Sequence, residues 1–600
     1  MKKVLLFIAG IAGLTVAVAQ NTVVADKSFQ QFEQGFINDL WKNNPGWASS
    51  VGYHAYDDVL TIPGKETNQR LLQFTDATLK QLDAVKVAEL SNSLRTDYYL
   101  IKNYAEATRF YINEFKEEEW NPAVFNVGDA VFTVLDNKDA SLEMRMVALA
   151  KKLKAVPQYF EAAKKIINNP TFEHTQLAIE QNNGSLYLFD SVLPDSVKAC
   201  KLAEGQKQEL LTTITKAREA VKEYVSWLQE LPAVKKQEGR SPRIGKQLYA
   251  KKFAYDINAR YTADEMYAKA QDRVKYLQRE MAGLTKTMWP TYFSGTPMPS
   301  DNREATKMMI DQLSKQHCAA DRFLETIEAQ LPVLEAFINK YNIIDLDASK
   351  PLKVRKTPEY MAGVAGASIN SPGPYEKNGV TYYNVTPLTG YSEKEAESYL
   401  REYNNWVLQI LNIHEAIPGH YTQHIYANRS PSIIQNVLGN GAMVEGWACY
   451  VERMMMEEGY DNSPEMWLFY YKWNLREACN FILDYNIHCN NWTEKDALDL
   501  LVTTAFQQEK EAQEKYRRVT LTQVQLTSYF TGLTEIYELR DEVKQAWGDQ
   551  FTLKKFHEQF LSYGSAPVKE IRTMMLPAAN SNTKAKEQPG KSAPAPYRQK

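Results

Sequence analysis

The chain has 600 residues, a formal net charge of −3 at pH 7, and 24% charged and 44% hydrophobic residues. This near-neutral balance argues against nucleic acid as a partner, because nucleic-acid binding needs a concentrated basic surface. The five cysteines are few, odd in number and without a CxxC pair, so they predict neither a metal cluster nor a disulfide framework, and at most one or two bridges could form.

The N-terminus has the pattern of a secretory signal peptide. Residues 1–3 are positively charged, residues 4–18 form an apolar run, and small residues stand at 17–19. The run is shorter than the roughly 20 residues that a membrane helix needs, so we predict cleavage after Ala19 instead of an uncleaved anchor. No cysteine stands at the cleavage point, and lipid anchoring there is not expected. The expected mature protein is periplasmic or secreted, without stable membrane insertion.

Most of the chain has apolar residues at helical spacing. This spacing runs from about residue 28 to 350, as in residues 141–166 and 206–228, and resumes from about residue 393 to 575. It predicts a mainly α protein built from long helices. The abundant aromatic residues in these segments are interpreted as core.

The domain organisation follows from the absence of an internal linker rich in Pro, Gly and Ser. We therefore predict one helical domain over residues 20–577. Residues 578–600 are rich in Pro, Lys and Ser and lack apolar periodicity, which predicts a disordered tail.

The pattern changes around residues 351–387. Residues 352–355 and 380–385 alternate and carry β-branched and aromatic side chains, whereas residues 361–368 between them are rich in Gly and Ala. We predict a short sheet inserted into the helical protein, just before the histidine-rich segment described next. Such a sheet could hold a peptide substrate as an added strand, and a purely structural hairpin is an equally acceptable interpretation.

Three of the eight histidines, His414, His420 and His424, fall within eleven residues, which favours metal ligation over isolated structural roles. In the zincin motif HExxH, two histidines four residues apart hold zinc, and the glutamate polarises a water molecule. His414 and Glu415 begin this pattern. However, Pro418 stands at the fourth position after His414, and the next histidine comes two residues later.

The displaced histidine requires a local change in the helix. Six residues turn a regular helix through about 600°, so His420 would lie roughly 120° from His414. Pro418 removes a helical hydrogen bond, and Gly419 tolerates an altered backbone. We therefore predict a distortion that returns His420 to the face of His414.

A competing pair of ligands is His420 and His424, which are four residues apart and need no distortion. Tyr421 follows the first of these histidines, so this pair would bind metal without supplying a general base. We therefore favour the pair formed by His414 and His420.

The expected third ligand is Glu445, because it lies in a segment that is apolar on most sides, and a buried carboxylate is costly unless it is paired or bound to metal. Glu452, seven residues later on nearly the same helical face, is the expected hydrogen-bonding partner of a ligand or a substitute ligand. The alternative is that Glu445 caps a helix or pairs with an arginine.

The pattern His414-Glu415-x-x-Pro418-Gly419-His420, followed by Glu445-Gly446-Trp447-Ala448, resembles the bacterial family called domain of unknown function 885. The likeness spans nearly the whole mature chain. It implies a helical, gluzincin-like fold with a central channel, distantly similar to HExxH carboxypeptidases and oligopeptidases, and short peptides as substrates.

Together these features predict a zinc metallopeptidase in which His414, His420 and Glu445 hold zinc and Glu415 is the general base. Four residues at positions that resemble the family pattern complete the expected site. Tyr529, with His488 as second choice, would stabilise the oxyanion, and Arg518 or Arg540 would bind a substrate carboxylate. Each of these four is equally compatible with a structural role, and Arg540 could pair with acidic neighbours in sequence.

Two alternatives remain at this point. The first is an exported helical protein with a structural zinc, closed by a fourth ligand such as His424, although the intact Glu415 argues against it. The second is a zinc hydrolase that acts on an amide or ester other than a peptide.

Overall fold

The computed structural model describes residues 2–357, 366–376 and 379–576, with side chains from residue 22 onward. The predicted signal peptide over residues 1–19 lies outside the described side chains, and the predicted tail over residues 578–600 lies outside the described residues, as does most of the segment 361–368. The described chain is mainly helical with one small sheet, as predicted. Within this part, none of the helices combines the length and apolar character needed to cross a bilayer.

The chain groups into two compact units. The first comprises Met1–Ser241, Pro372–Gly379 and Pro431–Leu438, and the second comprises Pro242–Ser371, Val380–Ser430 and Gly439–Lys600. The expectation of a single domain over residues 20–577 stays a prediction beside this grouping. All five cysteines carry free thiols, so none of the possible bridges is formed.

The first unit consists of helices joined by short turns, and its core lies within residues 125–228. Its helices are α1 (Lys2–Asn43), α2 (Pro45–Ser50), α3 (Lys65–Leu82), α4 (Asn92–Phe110), α5 (Glu117–Trp120), α6 (Gly128–Asp136), α7 (Leu142–Lys154), α8 (Val156–Ile166), α9 (Phe172–Tyr187), α10 (Leu193–Ala199), α11 (Glu204–Glu230) and the later α19 (Ile433–Val437).

The two helical segments singled out in the sequence behave differently. Residues 206–228 lie within α11, as predicted, with Leu210, Ile214 and Val221 buried at helical spacing. Residues 141–166 form α7 and α8 instead of one helix. The break falls at Ala155, two residues before Pro157, because Pro157 lacks the N–H group that a continuous helix would bond to the carbonyl oxygen of Leu153.

The second unit contains the remaining helices. They are α12 (Gly245–Asp256), α13 (Ala263–Tyr292), α14 (Asn302–Leu313), α15 (Phe323–Tyr341), α16 (Glu393–Glu402), α17 (Val407–Glu415), α18 (His420–Ala427), α20 (Gly441–Glu457), α21 (Pro464–Cys489), α22 (Glu494–Leu498), α23 (Glu509–Leu521), α24 (Ser528–Trp547), α25 (Leu553–Ser562) and α26 (Val568–Met575). Its most extensive helix pairings are α20 with α24 and α13 with α21.

The sheet of the second unit has three strands, β1 (Leu352–Lys356), β2 (Ala367–Asn370) and β3 (Thr381–Val385), in the order β1-β3-β2. The prediction of a short sheet here is confirmed, and its role, as a site for an added peptide strand or as purely structural, stays a prediction. The two predicted strands, β1 and β3, are parallel neighbours, so they do not form a hairpin with each other. The consecutive strands β2 and β3 are the antiparallel pair.

Helices α20 and α24 approach each other at two glycines. A Cβ on Gly446 would lie 2.4 Å from the Cα of Gly532, and a Cβ on Gly532 would lie 1.8 Å from the carbonyl oxygen of Ala442. Only glycine allows the two backbones to come this close. This crossing fixes the position of α20, which carries two of the acidic residues of the candidate site.

Candidate metal centre

The segment between the two histidines of the motif is a break between helices, not a bulge within one helix. α17 ends at Glu415, and Ala416 follows with φ −105° and ψ −91°. The Ile417–Pro418 peptide bond is cis, and α18 starts at His420. The predicted distortion is therefore present but larger than a bulge, and it places the imidazoles of His414 and His420 with ring centroids 4.8 Å apart.

Close backbone packing holds this break in place. A Cβ on Gly419 would lie 1.8 Å from the carbonyl oxygen of His414 and 2.3 Å from that of Ile413. The turn therefore folds back onto the end of α17 in a way that only glycine permits. The indole Nε1 of Trp447, on α20, donates a hydrogen bond of 2.9 Å to the carbonyl oxygen of Pro418. α20 thus contacts the turn as well as the histidines.

Three potential ligand atoms converge at the site. One ligand atom from each of His414, His420 and Glu445 lies within 4.8 Å of the other two. Oε2 of Glu445 is 3.4 Å from Nε2 of His420 and 3.7 Å from Nε2 of His414. Ligands that are about 2.0–2.1 Å from a tetrahedral zinc lie roughly 3.3 Å from one another, so these separations suit one ion between the three side chains.

Glu452 holds the other ring nitrogen of His414. Its Oε1 lies 2.7 Å from Nδ1 of His414 and accepts a second hydrogen bond of 3.1 Å from Nε1 of Trp473, on α21. The Glu452 side chain is fully buried. A carboxylate at this position fixes the ring orientation and leaves Nε2 of His414 facing Glu445.

The electrostatics of the cluster indicate a shortage of positive charge. Burial alone would lower the pKa of His414, but the carboxylates of Glu445 and Glu452 raise it well above its ordinary value. Burial, then the charge of Glu477, raises the pKa of Glu452 to about 8. Burial raises the pKa of Glu415, an effect that the two histidines oppose. A divalent cation among these groups would relieve the repulsion between the carboxylates.

The pKa of Glu445 shifts in the opposite direction to that of the other two glutamates. Burial would raise its pKa, yet the nearby imidazoles of His414 and His420 hold the pKa of this carboxyl well below its usual range. Glu445 is therefore ionised, as a metal ligand must be. The alternative that it pairs with an arginine is not seen among the described residues, where its ion pairs are with the two histidines.

A second group of possible ligand atoms is formed by His414, Cys449 and Glu452. Burial, followed by the charge of Glu477, raises the pKa of the Cys449 thiol well above its ordinary value. A protonated thiol is a poor ligand, because zinc binds the thiolate. This group therefore fits a metal less well than the group that contains His420.

His424 lies beside the cluster without joining it. Its ring centroid is 6.5 Å from that of His420, and neither group of possible ligand atoms includes it. Burial, with a smaller effect from His420, lowers the pKa of His424 to about 4. This placement weakens the interpretation of a structural zinc closed by His424.

Tyr529 and Arg518 lie next to each other. The Tyr529 hydroxyl accepts a hydrogen bond of 3.2 Å from Nη2 of Arg518. Burial raises the pKa of Tyr529 to about 12, and the negative charge of Glu445 contributes to this rise. Tyr529 is therefore a protonated phenol in the electrostatic field of the candidate metal ligand, as its predicted role requires.

His488 is engaged elsewhere. It is almost fully buried, its Nε2 lies 2.9 Å and 3.0 Å from the carbonyl oxygens of Val519 and Thr522, and its ring stacks on Tyr249. A nitrogen that donates to two backbone carbonyls is not available to an oxyanion. His488 therefore joins α21 to the end of α23, and its second-choice role as an oxyanion donor loses support.

Arg540 is held in an ion pair. Its Nη1 lies 3.0 Å from Oε2 of Glu457 on α20, and its guanidinium lies over the ring of Tyr537 at 4.5 Å from the centroid. The structural alternative for Arg540 is therefore favoured, although its acidic partner comes from another helix and not from its sequence neighbours. Of the two arginines predicted to bind a carboxylate, Arg518 is the one whose contacts leave that role open.

Three residues of the site were missed in the sequence. Tyr383 on β3 donates a hydrogen bond of 2.8 Å to Asn412, two residues before His414, and so joins the sheet to α17. Asn412 could have been noticed as a polar residue in an apolar helix. Trp473 gives no such indication, because its contact with Glu452 depends on the packing of α20 against α21.

The sequence profile of a family described as bacterial protein of unknown function (DUF885) matches residues 45–575. The chain belongs to this family. The family membership predicted from the motif is thereby confirmed, and the likeness to zinc peptidases stays a prediction. None of the curated proteins gives a significant match.

Two solved structures are similar to this DUF885 chain. A Shewanella oneidensis protein, provisionally called a lipoprotein of unknown function, is 48% identical with a TM-score of 0.82, over 92% of this chain and 100% of that one. A protein from Colwellia psychrerythraea, provisionally called a lipoprotein, is 16% identical with a TM-score of 0.70, over 93% of this chain and 98% of that one. The second similarity concerns the fold alone.

Proposed function

We propose that the protein is a zinc-dependent hydrolase that cleaves peptide bonds in short peptides. The observation that carries this proposal is the approach of Oε2 of Glu445 to Nε2 of both His414 and His420, at 3.7 Å and 3.4 Å, beside Glu415. Two imidazoles and one carboxylate are a donor set of catalytic zinc sites, which keep a fourth position open. A structural site would need a fourth protein ligand and would have no use for Glu415.

The residues present fit zinc on three grounds. The donor atoms are of the types that zinc prefers, and their separations suit a single ion. The hydrogen bond between Glu452 and His414 is the carboxylate–histidine arrangement that orients a zinc ligand. The shortage of positive charge among Glu415, Glu445 and Glu452 is the kind that a divalent cation corrects.

Zinc at this site would lower the pKa of a water molecule and polarise the substrate carbonyl group. Glu415 accepts a proton from the attacking water and passes it to the leaving amine. Its carboxylate is suited to this because burial raises its pKa toward neutrality. Tyr529, held by Arg518 at 3.2 Å, donates a hydrogen bond to the oxygen that becomes negatively charged during attack.

We further propose a gluzincin-like fold with a central channel and an exported location, either periplasmic or secreted. The helical architecture with a small sheet supports the fold, since Tyr383 of β3 bonds to α17 beside the motif. The leader-like pattern over residues 1–19 and the name of the Shewanella oneidensis protein support export. Short peptides are the expected substrates, because a channel excludes folded proteins.

The test compares wild-type protein with Glu415→Gln, measuring zinc content by mass spectrometry and turnover of a peptide library. We expect the variant to keep zinc and lose at least about 100-fold in turnover, the lower range for general-base catalysis. The matched control is Glu458→Gln, which removes one carboxylate of the same type at the end of α20 and should keep both properties.

Three results would contradict the proposal. Absence of zinc from purified protein that has been exposed to the metal would overturn the metal site. Equal turnover by wild type and Glu415→Gln would overturn the mechanism. If zinc is bound but only non-peptide esters or amides are hydrolysed, the substrate class is wrong although the chemistry stands.

A further inference from the structure

Arg518 is a half-buried cation whose partners are uncharged. Its Nη2 donates hydrogen bonds of 2.8 Å to Oε1 of Gln525 and 3.2 Å to the hydroxyl of Tyr529. No carboxylate of the described residues lies within ion-pair distance of it. By contrast, Arg540 lies 3.0 Å from Glu457, and Arg476 lies 2.9 Å from Glu511.

A second basic residue, Lys515, is buried one turn before Arg518 on α23. Burial lowers the pKa of Lys515 well below its ordinary value; the charges of Arg476 and Arg518 add to this effect, and Glu511 opposes it. A carboxylate would be stabilised next to Arg518, because a desolvated guanidinium without a counter-ion is costly. The guanidinium has five N–H donors, of which Gln525 and Tyr529 occupy two.

Tyr529 connects this cation to the candidate metal centre. Its hydroxyl accepts a hydrogen bond of 3.2 Å from Arg518, and it lies one turn before Gly532 on α24, where α24 crosses α20 at Gly446, the residue after Glu445. If Tyr529 also donates to the carbonyl group under attack, its hydroxyl contacts both that carbonyl and Arg518, and the two lie only one hydroxyl group apart. One residue of extended peptide spans about 3.5 Å, so the peptide between them is one or two residues long.

We propose that Arg518 binds the C-terminal carboxylate of the peptide substrate, so that the protein removes one or two residues from the C-terminus. The planar guanidinium can take a carboxylate in a bidentate manner. This inference rests on the proposed peptidase function, and it adds the direction of attack and the group by which the substrate is recognised.

The activity test uses pairs of N-acetylated peptides with free or amidated C-termini, and mass spectrometry of the products. For wild type we expect amidation to lower kcat/KM by on the order of 100-fold, the usual effect of removing one partner of a buried charge pair. Single residues or dipeptides should be released from the free C-terminus. In Arg518→Gln the two peptides should be cleaved equally slowly, and Arg518→Lys should recover part of the preference.

The binding test needs no turnover. A dipeptide with a free carboxylate is titrated calorimetrically into zinc-loaded Glu415→Gln protein, and its amide is titrated in parallel. We expect the amide to bind at least about 10-fold more weakly, and Arg518→Gln on the same background to remove this difference. Arg517→Gln is the matched control, because it removes the neighbouring, exposed positive charge and should preserve the difference.

The outcomes separate this inference from the proposed function. Equal cleavage and equal binding of free and amidated peptides would overturn the role of Arg518 and leave the peptidase proposal intact.

A carboxylate could also come from a side chain, so an amidated peptide with a glutamate near its end is included. Preference for that peptide would overturn attack from the C-terminus. Absence of turnover with zinc bound would contradict the proposed function. The binding test would still show whether Arg518 binds the C-terminal carboxylate.

Discussion

Nδ1 of His414 lies 2.7 Å from Oε1 of Glu452. Glu452 stands on α20, two helical turns after Glu445 on the same helix. One helix therefore supplies both the carboxylate that faces Nε2 of His414 and the carboxylate that holds Nδ1. Because the two glutamates are seven residues apart, any change in the position of α20 would alter both contacts together.

The contact between Glu452 and His414 predicts that Glu452→Gln weakens zinc binding without removing a ligand. Loss of such a partner typically lowers metal affinity 10–100-fold, roughly the range expected here. Titration against a competing chelator measures this affinity. In the matched variant Glu458→Gln the affinity should match wild type, and an unchanged affinity in Glu452→Gln would show that the contact does not orient His414.

The ligand set predicts different results for two neighbouring histidines. His420→Ala should abolish zinc binding, because it removes one of three ligands, whereas His424→Ala should retain a full equivalent of zinc. Zinc content after dialysis measures both. If His420→Ala retains zinc and His424→Ala loses it, the choice of His414 and His420 as the ligand pair is wrong.

The crossing of α20 and α24 predicts a strong effect of a single methyl group. In Gly446→Ala the new Cβ would lie 2.4 Å from the backbone of Gly532, so the helices must move apart. We expect a loss of about 1–3 kcal/mol in the free energy of unfolding, as for other overpacked sites. Urea denaturation measures it. Gly441→Ala, where nothing lies within 4 Å of the new Cβ, is the control on the same helix and should change stability little.

The ion pair of Arg540 with Glu457 predicts a structural role. Arg540→Gln should lower the free energy of unfolding by about 1–2 kcal/mol, since the guanidinium also loses its contact with the Tyr537 ring. The preference for a free C-terminus should remain as in wild type. A selective rise in KM for free peptides, with stability unchanged, would return Arg540 to the substrate site.

Glu535 predicts a pH dependence of stability. This buried carboxyl, which accepts a hydrogen bond of 2.8 Å from the backbone of Arg260, has its pKa raised by burial from 4.5 to about 7. The folded state therefore holds a proton that the unfolded state releases. The stabilisation is complete below about pH 4.5 and is lost as the pH rises to 7, a change on the order of 3 kcal/mol.

The measurement is the free energy of unfolding of wild type and Glu535→Gln at several pH values between 4.5 and 8. As the pH rises, the free energy of unfolding of wild type should fall relative to that of Glu535→Gln. Asp541→Asn, which removes an exposed carboxyl on the same helix, is the control for the substitution itself. A difference between wild type and Glu535→Gln that stays constant with pH would show that the Glu535 carboxyl titrates normally in the fold.

The sequence by itself determined the helical class, the short sheet and the identity of the clustered side chains. Helical spacing of apolar residues is a local property, so the segment 206–228 could be assigned to a helix without knowledge of its neighbours. The scarcity of histidines, three of which lie close together around Glu415, was likewise visible in the chain alone. So was the need for a distortion at Pro418 and Gly419.

Tertiary structure alone decided how these elements meet. The parallel pairing of β1 with β3, the contact of Trp473 with Glu452 and the withdrawal of His488 into backbone hydrogen bonds all join residues that are distant in sequence. The partners of Arg518 and Arg540 also depend on helix packing, which no local pattern encodes. Periodicity reports which face of an element is buried, but the residue it is buried against is fixed only when the elements pack.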